Sequence, residues 1–346
     1  MMYRTAAWQQ SRREFLKTVT WTGTAWCLAS GGALAWAQAG STAPDAANFE
    51  YSFRTLSIGH LDEVRDWLEQ LKRDGKISAN ETFRKYVDSF ELAAPKALPR
   101  ARSLVVMSIP QRLAAVTFHV DGEARDILIP TGYTDDGLTL EGVKERLVKD
   151  VLKDPKGRLE LAKLPYKTRA VQSGLAAYGK NHVTFVDGYG SFHQLLVFAT
   201  DVELPDRWGG LKTLRLCKGC TICVKACPTQ CFSEERFAID AGRCISLYNE
   251  LPDPMPGWID PKAHNALVGC LKCQYTCPAN EDRIRDVERI AELTEPESAL
   301  VLQGGDDAAL REAVLAKLKR FPSAKDFGYL SRNARLAWAN RAELRA

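Results

Sequence analysis

The spacing of apolar residues predicts a helix near the start of the globular part of the chain. Four apolar residues recur three or four positions apart: Leu61, Val64, Leu68 and Leu71. Because such positions share one face of a helix, they indicate an amphipathic helix that packs on a core. Gly75 follows where that helix would end, and the same periodicity predicts a second helix over Leu140–Leu152.

Uninterrupted and alternating apolar runs predict strands. Leu104–Ile109 reads as a buried strand, and Ala115–Val120 and Ala124–Ile129 flank an Asp121-Gly122 turn signal. A strand, a turn of this type and a second strand are typical of a hairpin. We therefore expect a hairpin beside the central strand.

A further pair of strands is predicted at His182–Val186 and Phe192–Thr200, with a glycine-containing turn between them. Gly188 and Gly190 are too closely spaced for a dinucleotide-binding loop, and strand-like sequence follows them. Because helices and strands do not alternate regularly along the chain, the pattern indicates an α+β block rather than repeated βαβ units.

The C-terminal part of the chain reads as helical. Three helices are predicted there, at Asp282–Leu293, Asp307–Phe321 and Leu330–Leu344. The middle helix carries a stripe of apolar residues and ends before Pro322. We expect these helices to support the cysteine-rich region that precedes them.

The N-terminal segment has the pattern of an export signal. Ser11-Arg12-Arg13-Glu14-Phe15-Leu16-Lys17 precedes an uncharged stretch, Thr18–Ala37, that ends in small residues. The arginine pair before such a stretch is typical of a twin-arginine signal, which predicts a protein exported after folding. An uncleaved anchor and a chance pair of arginines are the alternatives. Residues 38–50 are rich in small and polar residues and indicate a linker.

Composition adds little to this picture. The 346 residues are 45% hydrophobic and 26% charged, with a formal net charge of +4. These values are ordinary for a globular protein, and no run of basic residues indicates nucleic-acid binding. The five histidines form no metal-ligand pair by spacing, so a structural role is expected for each.

The chemistry of the chain is concentrated in its cysteines. Nine of the ten lie between Leu216 and Asn280. The first run, Cys217-x2-Cys220-x2-Cys223-x3-Cys227-Pro228, is the bacterial ferredoxin pattern, in which three cysteines bind one [4Fe-4S] cluster and the fourth binds another. The second run, Cys270-x2-Cys273-x3-Cys277-Pro278, ends in the same Cys-Pro dipeptide.

The two runs are expected to exchange their Cys-Pro ligands. This assigns one cluster to Cys217, Cys220, Cys223 and Cys277. The other cluster is assigned to Cys227, Cys270, Cys273 and, as the best candidate for a fourth ligand, Cys244. A zinc ribbon would leave four thiols unexplained and gives no reason for the proline after each terminal cysteine. A disulfide framework is the other alternative and is less favoured still. Cys231 belongs to neither set and is expected to be a buried thiol.

Several motifs together resemble those of epoxyqueuosine reductases and, more distantly, reductive dehalogenases. Besides the two cysteine runs, they are Gly174-Leu175, Gly179-Lys180-Asn181, Gly190-Ser191-Phe192, Thr200-Asp201, Arg243-Cys244-Ile245-Ser246 with Glu250, and Gly328-Tyr329-Leu330 with Arg332-Asn333-Ala334. The resemblance extends from about residue 100 to near the C-terminus.

The resemblance implies a cobalamin between a nitroreductase-like α+β domain and a ferredoxin-like domain, with the two clusters passing electrons to cobalt. It places Lys180, Asn181 and Ser191 near the corrinoid. Together with the export signal and linker predicted above, the expected organisation is a signal at residues 1–37, a linker at 38–50, an α+β domain at 51–205, a two-cluster domain at 206–280 and a helical region at 281–346.

The chain departs from the family at the expected proton donor. Counting back from Gly179 without gaps, the family's catalytic aspartate falls on Glu160. A surface charge on a helix is the favoured interpretation of this residue, and the catalytic role is the alternative. The arginine that supports the donor tyrosine of dehalogenases is absent beside Gly190, so Tyr133 and Tyr166 become further candidates for the donor.

The sequence therefore predicts an exported iron–sulfur oxidoreductase that performs reductive chemistry on a small molecule. The alternative is an electron-transfer subunit that carries clusters alone. The expected partners are the twin-arginine export machinery, an unidentified electron donor and an anchoring membrane subunit. Nucleic acid is expected to be an unlikely partner, because a tRNA substrate conflicts with export.

Overall fold

The computed structural model describes residues 49–233 and 239–340. The predicted export signal, most of the predicted linker and Cys27 lie outside the described residues, as does the end of the last predicted helix. None of the helices in these described ranges combines the length and the apolar character that a membrane span requires.

The first sheet contains four antiparallel strands in the order β1-β2-β8-β5. They are β1 (Ser52–Ser57), β2 (Ser103–Pro110), β8 (His193–Thr200) and β5 (Leu159–Leu161). All eight residues of β8 are buried. The predicted central strand over Leu104–Ile109 is confirmed, and its apolar run reflects the burial of both of its faces.

The second sheet joins distant parts of the chain. It contains β3 (Leu113–Val120) and β4 (Glu123–Ile129), which form the predicted hairpin, and β9 (Val287–Glu292), which pairs in parallel with β3. Two corrections follow. The hairpin lies in a different sheet from β2, and the predicted helix Asp282–Leu293 contains a strand, because pairing with β3 outweighs a weak preference for helix.

A two-stranded sheet lies near the cysteine loops and consists of β6 (Ala177–Tyr178) and β7 (Thr184–Phe185). The glycine-containing turn after β7 is closed by a hydrogen bond from the Val186 N–H to the Gly190 carbonyl at 3.0 Å. The prediction of a turn there is confirmed, but β7 pairs with β6 rather than with β8.

Ten α-helices lie within the described residues. The helices of the first block are α1 (Leu61–Arg73), α2 (Glu81–Asp88), α3 (Leu140–Leu147) and α4 (Tyr166–Gln172). The cysteine region contains α5 (Ile222–Ala226), α6 (Ile245–Asn249) and α7 (Lys272–Tyr275). The C-terminal helices are α8 (Glu295–Gln303), α9 (Ala308–Lys317) and α10 (Phe327–Ala339).

The predicted helices of the first block are confirmed. The first corresponds to α1, and the second to α3 followed by one π-helical segment at Val148–Leu152. In the C-terminal part, α9 and α10 correspond to predicted helices, whereas α8 was not predicted. The 281–346 region is thus mixed, because it contributes a strand as well as helices.

Two apolar cores flank the cysteine region. One lies between the first sheet and α3 and α4, and includes Val106, Leu147 and Val197. The other lies between the second sheet and the C-terminal helices, and includes Phe118 and Leu330. The fold is mixed α/β, and side chains from both parts of the fold, Asn181 and Asn333, donate hydrogen bonds to the cysteine region.

Candidate functional site: two thiol groups and an adjoining cavity

The two cysteine runs form short helical loops that face each other. Helix α5 follows the first two cysteines of the first run, and α7 contains Cys273 of the second run and contacts α5. Gly269 has a φ of 61°, and a Cβ atom at that position would lie 2.9 Å from the Tyr133 hydroxyl. Glycine is therefore needed there both for the backbone conformation and for the close approach of Tyr133.

The structure brings together the first predicted set of four thiols. The pKa of Cys223 is raised to about 11, first by burial and then by the thiolate charges of Cys277, Cys217 and Cys220. The pKa of Cys277 is also raised, mainly by burial and further by Cys217 and Cys220. All four cysteines line the same small depression, which agrees with these mutual effects on their pKa values.

The second predicted set is brought together in the same way. The pKa of Cys273 is raised well above its usual value, first by burial and then by the neighbouring charges of Cys270, Cys244 and Cys227. Burial raises the pKa of Cys270 to about 11, although a hydrogen bond from Asn265 opposes this shift. Cys223 also acts on Cys273, so the two groups adjoin each other.

Cys231 lies beside the second group. It is buried, as predicted, and its Sγ is 3.5 Å from the Cys227 Sγ. A hydrogen bond from Cys231 is the largest cause of the lowered pKa of Cys227, which is about 5, and also of the lowered pKa of Cys244. A fifth thiol therefore adjoins the second group of four.

Two groups of four thiols match the donor sets of two [4Fe-4S] clusters. Polar groups nearby support the thiolate form. The Lys180 N–H donates to the Cys217 Sγ at 3.3 Å, and the Asn265 side-chain amide donates to the Cys270 Sγ at 3.3 Å. Donors of this kind around cluster ligands influence the reduction potential.

A cavity of about 230 Å³ lies next to the second thiol group. Its wall toward the second group includes Cys244, Cys270 and Cys273. Its apolar wall comes from α1, α2 and the segments around them and includes Trp67, Phe83, Tyr86 and Phe90. Its polar wall includes Asn181, Thr184, Ser191, His193 and Gln274. A molecule in this cavity would be close to the second group and separated from the first.

Tyr133, a predicted proton donor, lines this cavity and is paired with a carboxyl group. Its hydroxyl donates a hydrogen bond to the Oε1 atom of Glu250, and both residues are buried. Burial raises the pKa of Glu250 well above its usual value, although the hydrogen bond from Tyr133 opposes that shift. The pair can hold a proton within a largely apolar environment.

Lys167 brings a positive charge to the same cavity. Its charge contributes to the lowered pKa values of His182 and His193, both about 4, for which burial is the larger cause. His193 is fixed by hydrogen-bond contacts of 3.0 Å to the Ser108 hydroxyl and 3.1 Å to the Thr184 carbonyl. Both imidazoles are therefore neutral at pH 7.

The predicted corrinoid contacts divide between two places. Asn181 and Ser191 line the cavity, and their side chains also bind the second cysteine loop. Asn181 donates to the Cys273 carbonyl at 3.2 Å, and the Ser191 hydroxyl donates to the Gln274 side chain at 3.0 Å. Lys180 instead lines a small depression beside Cys217 and Cys220. It therefore lies next to the first thiol group.

The other two candidate proton donors are not in the cavity. Glu160 lies on β5, where its carboxylate is 3.7 Å from the Lys144 ammonium. Tyr166 is 1% exposed and packs in the first core. Its hydroxyl has no hydrogen-bond partner among the described residues. The interpretation of Glu160 as a surface charge thus agrees with its position, although it lies on a strand rather than on the expected helix.

Sequence reasoning missed the roles of Lys167, His182 and His193 in this cavity. No spacing pattern connects these residues, because they come from α4, the loop before β7 and the start of β8. Glu250 was noted only as part of a motif. Its position five residues after Ile245 gives no indication of its contact with Tyr133.

Comparison with known proteins supports the two-cluster assignment. Residues 216–280 match the family described as a 4Fe-4S double cluster binding domain. This segment contains all eight predicted ligands. The chain therefore contains a domain for two [4Fe-4S] clusters.

Curated relatives extend the match to the region before this domain. The epoxyqueuosine reductase of Bacillus subtilis is 27% identical over 233 residues, which are 64% of this chain and 58% of the relative. That of Staphylococcus aureus is 27% identical over 253 residues, 68% of this chain and 64% of the relative. This chain is homologous to epoxyqueuosine reductases. It spans less than two thirds of the length of these two relatives.

Solved structures show the same fold. Epoxyqueuosine reductase from Streptococcus thermophilus has a TM-score of 0.56 and 19% identity, covering 84% of this chain and 77% of that one. A crystal structure of epoxyqueuosine reductase with a tRNA-Tyr epoxyqueuosine-modified tRNA stem loop has a TM-score of 0.52 and 20% identity, covering 96% of this chain and 82% of that one.

One prediction is corrected by these comparisons. The expectation that nucleic acid is an unlikely partner is wrong, because the homologues are epoxyqueuosine reductases and one solved structure with this fold holds a tRNA stem loop. The prediction depended on the absence of a basic run and on the conflict between a tRNA substrate and export. Scattered basic residues on a folded surface can bind phosphates without forming such a run.

Proposed function

We propose that this protein is an iron–sulfur reductase in which electrons pass from the Cys217 group through the Cys227 group to a substrate in the adjoining cavity. The single observation that carries this proposal is that Cys244, Cys270 and Cys273 of the second group line the cavity. None of the four cysteines of the first group does so. The first group is therefore the entry side and the second the delivery side.

The first candidate substrate is a modified nucleoside in tRNA, because the homologues are epoxyqueuosine reductases. A second candidate function, reductive dehalogenation of a small molecule, is favoured by the position of Tyr133. A tyrosine hydroxyl in the cavity beside the positive charge of Lys167 is suited to donate a proton to a leaving or newly formed carbanionic group.

The cavity residues permit a test of fit for a corrinoid. The lining offers amide and hydroxyl side chains, which are suited to the amide-bearing rim of that cofactor: Asn181, Thr184, Ser191 and Gln274. The cavity of about 230 Å³ is, however, smaller than the pockets of about 300–1,000 Å³ that enclose drug-sized ligands. We propose that a cobalamin binds here partly enclosed, in a nitroreductase-like domain. When bound and reduced, it would supply a strongly reducing cobalt centre.

The protein's own groups have distinct tasks in this scheme. Tyr133 holds the proton that the reduced substrate needs, and Glu250 holds the Tyr133 hydroxyl in position. Lys167 attracts negative charge to the cavity, and the aromatic residues of α1 and α2 exclude water from one side. Water exclusion strengthens each of these electrostatic effects.

We further propose that the protein is exported by the twin-arginine route and acts outside the cytoplasmic membrane. The support is the Ser11–Lys17 motif before an uncharged stretch, together with clusters that must be assembled before export. Export and a tRNA substrate are difficult to reconcile. Localisation therefore also tests which of the two substrate classes is correct.

Anaerobic reconstitution followed by two titrations tests the proposed function. We expect about eight irons per chain, an EPR signal from reduced [4Fe-4S] clusters, and an absorbance change on addition of cobalamin. A chain with both clusters and no cobalamin uptake would exclude the corrinoid. Fluorescence anisotropy with an epoxyqueuosine-modified stem loop, compared with an unmodified one, then distinguishes a tRNA reductase from an enzyme for small molecules.

A further inference from the structure

The surface around the first thiol group has an unusual distribution of charge. From Arg207 through Ser233 the sequence contains five basic residues and no acidic ones. Four of these basic residues are exposed and lie close to the cysteines: Lys212, Arg215, Lys218 and Lys225. Ion pairs between these four and other described residues are absent. No carboxylate of the described residues therefore neutralises their positive charge.

Large apolar side chains lie within the same surface. Leu216 is 61% exposed and Ile222 is 45% exposed, which makes them two of the four large hydrophobic residues that are exposed in the described part of the chain. Both line the shallow depression that also contains Cys217, Cys220 and Cys223. Lys225 follows Ile222 by three positions in α5, so the two share one helix face.

We propose that this surface, the Leu216–Ile222 patch with its four surrounding basic residues, is the docking site of a small acidic one-electron carrier protein. This inference rests on the proposed function, because it assigns the entry point for the electrons. An apolar centre with a charged rim is typical of protein interfaces, and the rim charge selects an acidic partner and accelerates its encounter.

Two observations favour an electron carrier over a nucleic acid at this patch. Exposed leucine and isoleucine side chains offer a phosphate backbone nothing to bind, whereas they suit the short-lived contact of two proteins. The cavity for the substrate also adjoins the second thiol group, not the first. At the patch, the carrier would be oxidised by one electron and the first cluster reduced by one, before that electron moves to the second cluster.

Charge reversal at the rim tests the docking site. The variant Lys218→Glu/Lys225→Glu is compared with Lys156→Glu/Lys319→Glu, which has the same net charge but alters exposed lysines outside the patch. Both are reduced by a strongly acidic [2Fe-2S] ferredoxin that has been reduced beforehand, and cluster bleaching is followed by stopped-flow absorbance. We expect the second-order rate to fall about tenfold or more in the first variant and little in the second.

Controls separate docking from cluster loss. Dithionite should reduce both variants and the wild type at similar rates, and added salt should slow only reduction by the ferredoxin. Lys218 lies within the first cysteine run, so its substitution could disturb cluster assembly. A second variant, Lys212→Glu/Arg215→Glu, changes the same rim outside the cysteine runs and should show the same loss of ferredoxin rate.

The outcomes are distinct. Equal ferredoxin rates in patch and control variants would overturn the docking site while leaving the two-cluster reductase intact. Patch variants that keep the wild-type ferredoxin rate but lose affinity for a tRNA stem loop would also overturn the docking site, because the patch would then be a nucleic-acid site. A wild-type chain without iron, or one that dithionite cannot bleach, would overturn the proposed function itself.

Discussion

At the scale of single residues, Cys231 and Cys244 are both placed where the fourth ligand of the second cluster is needed. Both lie beside Cys227, and hydrogen bonds from Cys231 reach the Cys227 and Cys244 sulfurs. Spacing along the chain makes Cys244 the better candidate but cannot identify the ligand, because the position of each thiol in space decides which one binds the cluster. The geometry adds that Cys231 is placed to donate its S–H to a ligand thiolate.

Substitution of each thiol in turn should separate these roles. We expect Cys244→Ala to lower the iron content from about eight to about four per chain, because one cluster loses a ligand. Cys231→Ala should keep all the iron and lower the potential of the second cluster, since a hydrogen bond to a ligand sulfur is lost. Metal analysis and an EPR redox titration measure both. If Cys231→Ala loses iron and Cys244→Ala does not, Cys231 is the fourth ligand and Cys244 is the neighbouring thiol.

Tyr133 is the residue that we expect to deliver the proton. Tyr133→Phe removes the hydroxyl and retains the ring, so both clusters should be reduced normally while turnover falls about 10²-fold or more. Single-turnover kinetics with chemically reduced protein isolate this step. Tyr166→Phe serves as the matched control, because its ring is buried outside the cavity. Equal losses in both variants would indicate a packing effect.

Glu250 should make stability depend on pH. Its pKa is raised well above 4.5 in the folded protein, so the folded state holds this proton more strongly than the unfolded state. Stability should therefore decrease as the pH rises above about 4.5, through the folded pKa. Glu250→Gln should remove that part of the dependence. Thermal unfolding of anaerobic samples at pH 6 and pH 8 measures the difference, and parallel curves for the two proteins would contradict it.

At the scale of elements, the cysteine region is attached to both cores by a few polar side chains. Asn333 of α10 donates to the carbonyls of Asn249 and Leu267 at 2.9 and 3.0 Å, and it is fully buried. Asn280, beside the second cysteine loop, donates to the Ser191 hydroxyl at 2.8 Å. These bonds fix the loops relative to the sheets.

Loss of the Asn333 contacts should be costly. Asn333→Ala leaves two buried carbonyls without their donor, at about 1–3 kcal/mol each, whereas Asn340→Ala removes bonds of the same kind in a more exposed position. Denaturant unfolding of the two variants should show a larger loss of stability for Asn333→Ala. Equal losses would mean that water replaces the Asn333 amide.

Elements set by local pattern could be predicted, and those set by distant partners could not. The helix after Leu61 and the hairpin around Asp121 follow from residues close in sequence. The strand β9 depends on β3, more than 160 positions earlier, so its own sequence does not reveal it. The cavity is similar, because its residues come from distant segments between Trp67 and Gln274, while the cysteine runs could be recognised from their spacing alone.

At the scale of the whole molecule, the arrangement is linear. An exposed basic patch, the first thiol group, the second thiol group and the cavity adjoin one another in that order. In the proposed function, this order would set the direction of electron flow, whatever the substrate.

The location of the whole protein can be tested through its arginine pair. Lys substitutions at both Arg12 and Arg13 preserve the charge of the segment. If the twin-arginine route is used, the wild type should be found outside the cytoplasm as a protein with clusters, and the Arg12→Lys/Arg13→Lys variant should remain inside. Cell fractionation with immunodetection measures this, with iron analysis of each fraction. A wild type that stays in the cytoplasm would contradict export and favour the tRNA substrate, because that substrate is present there.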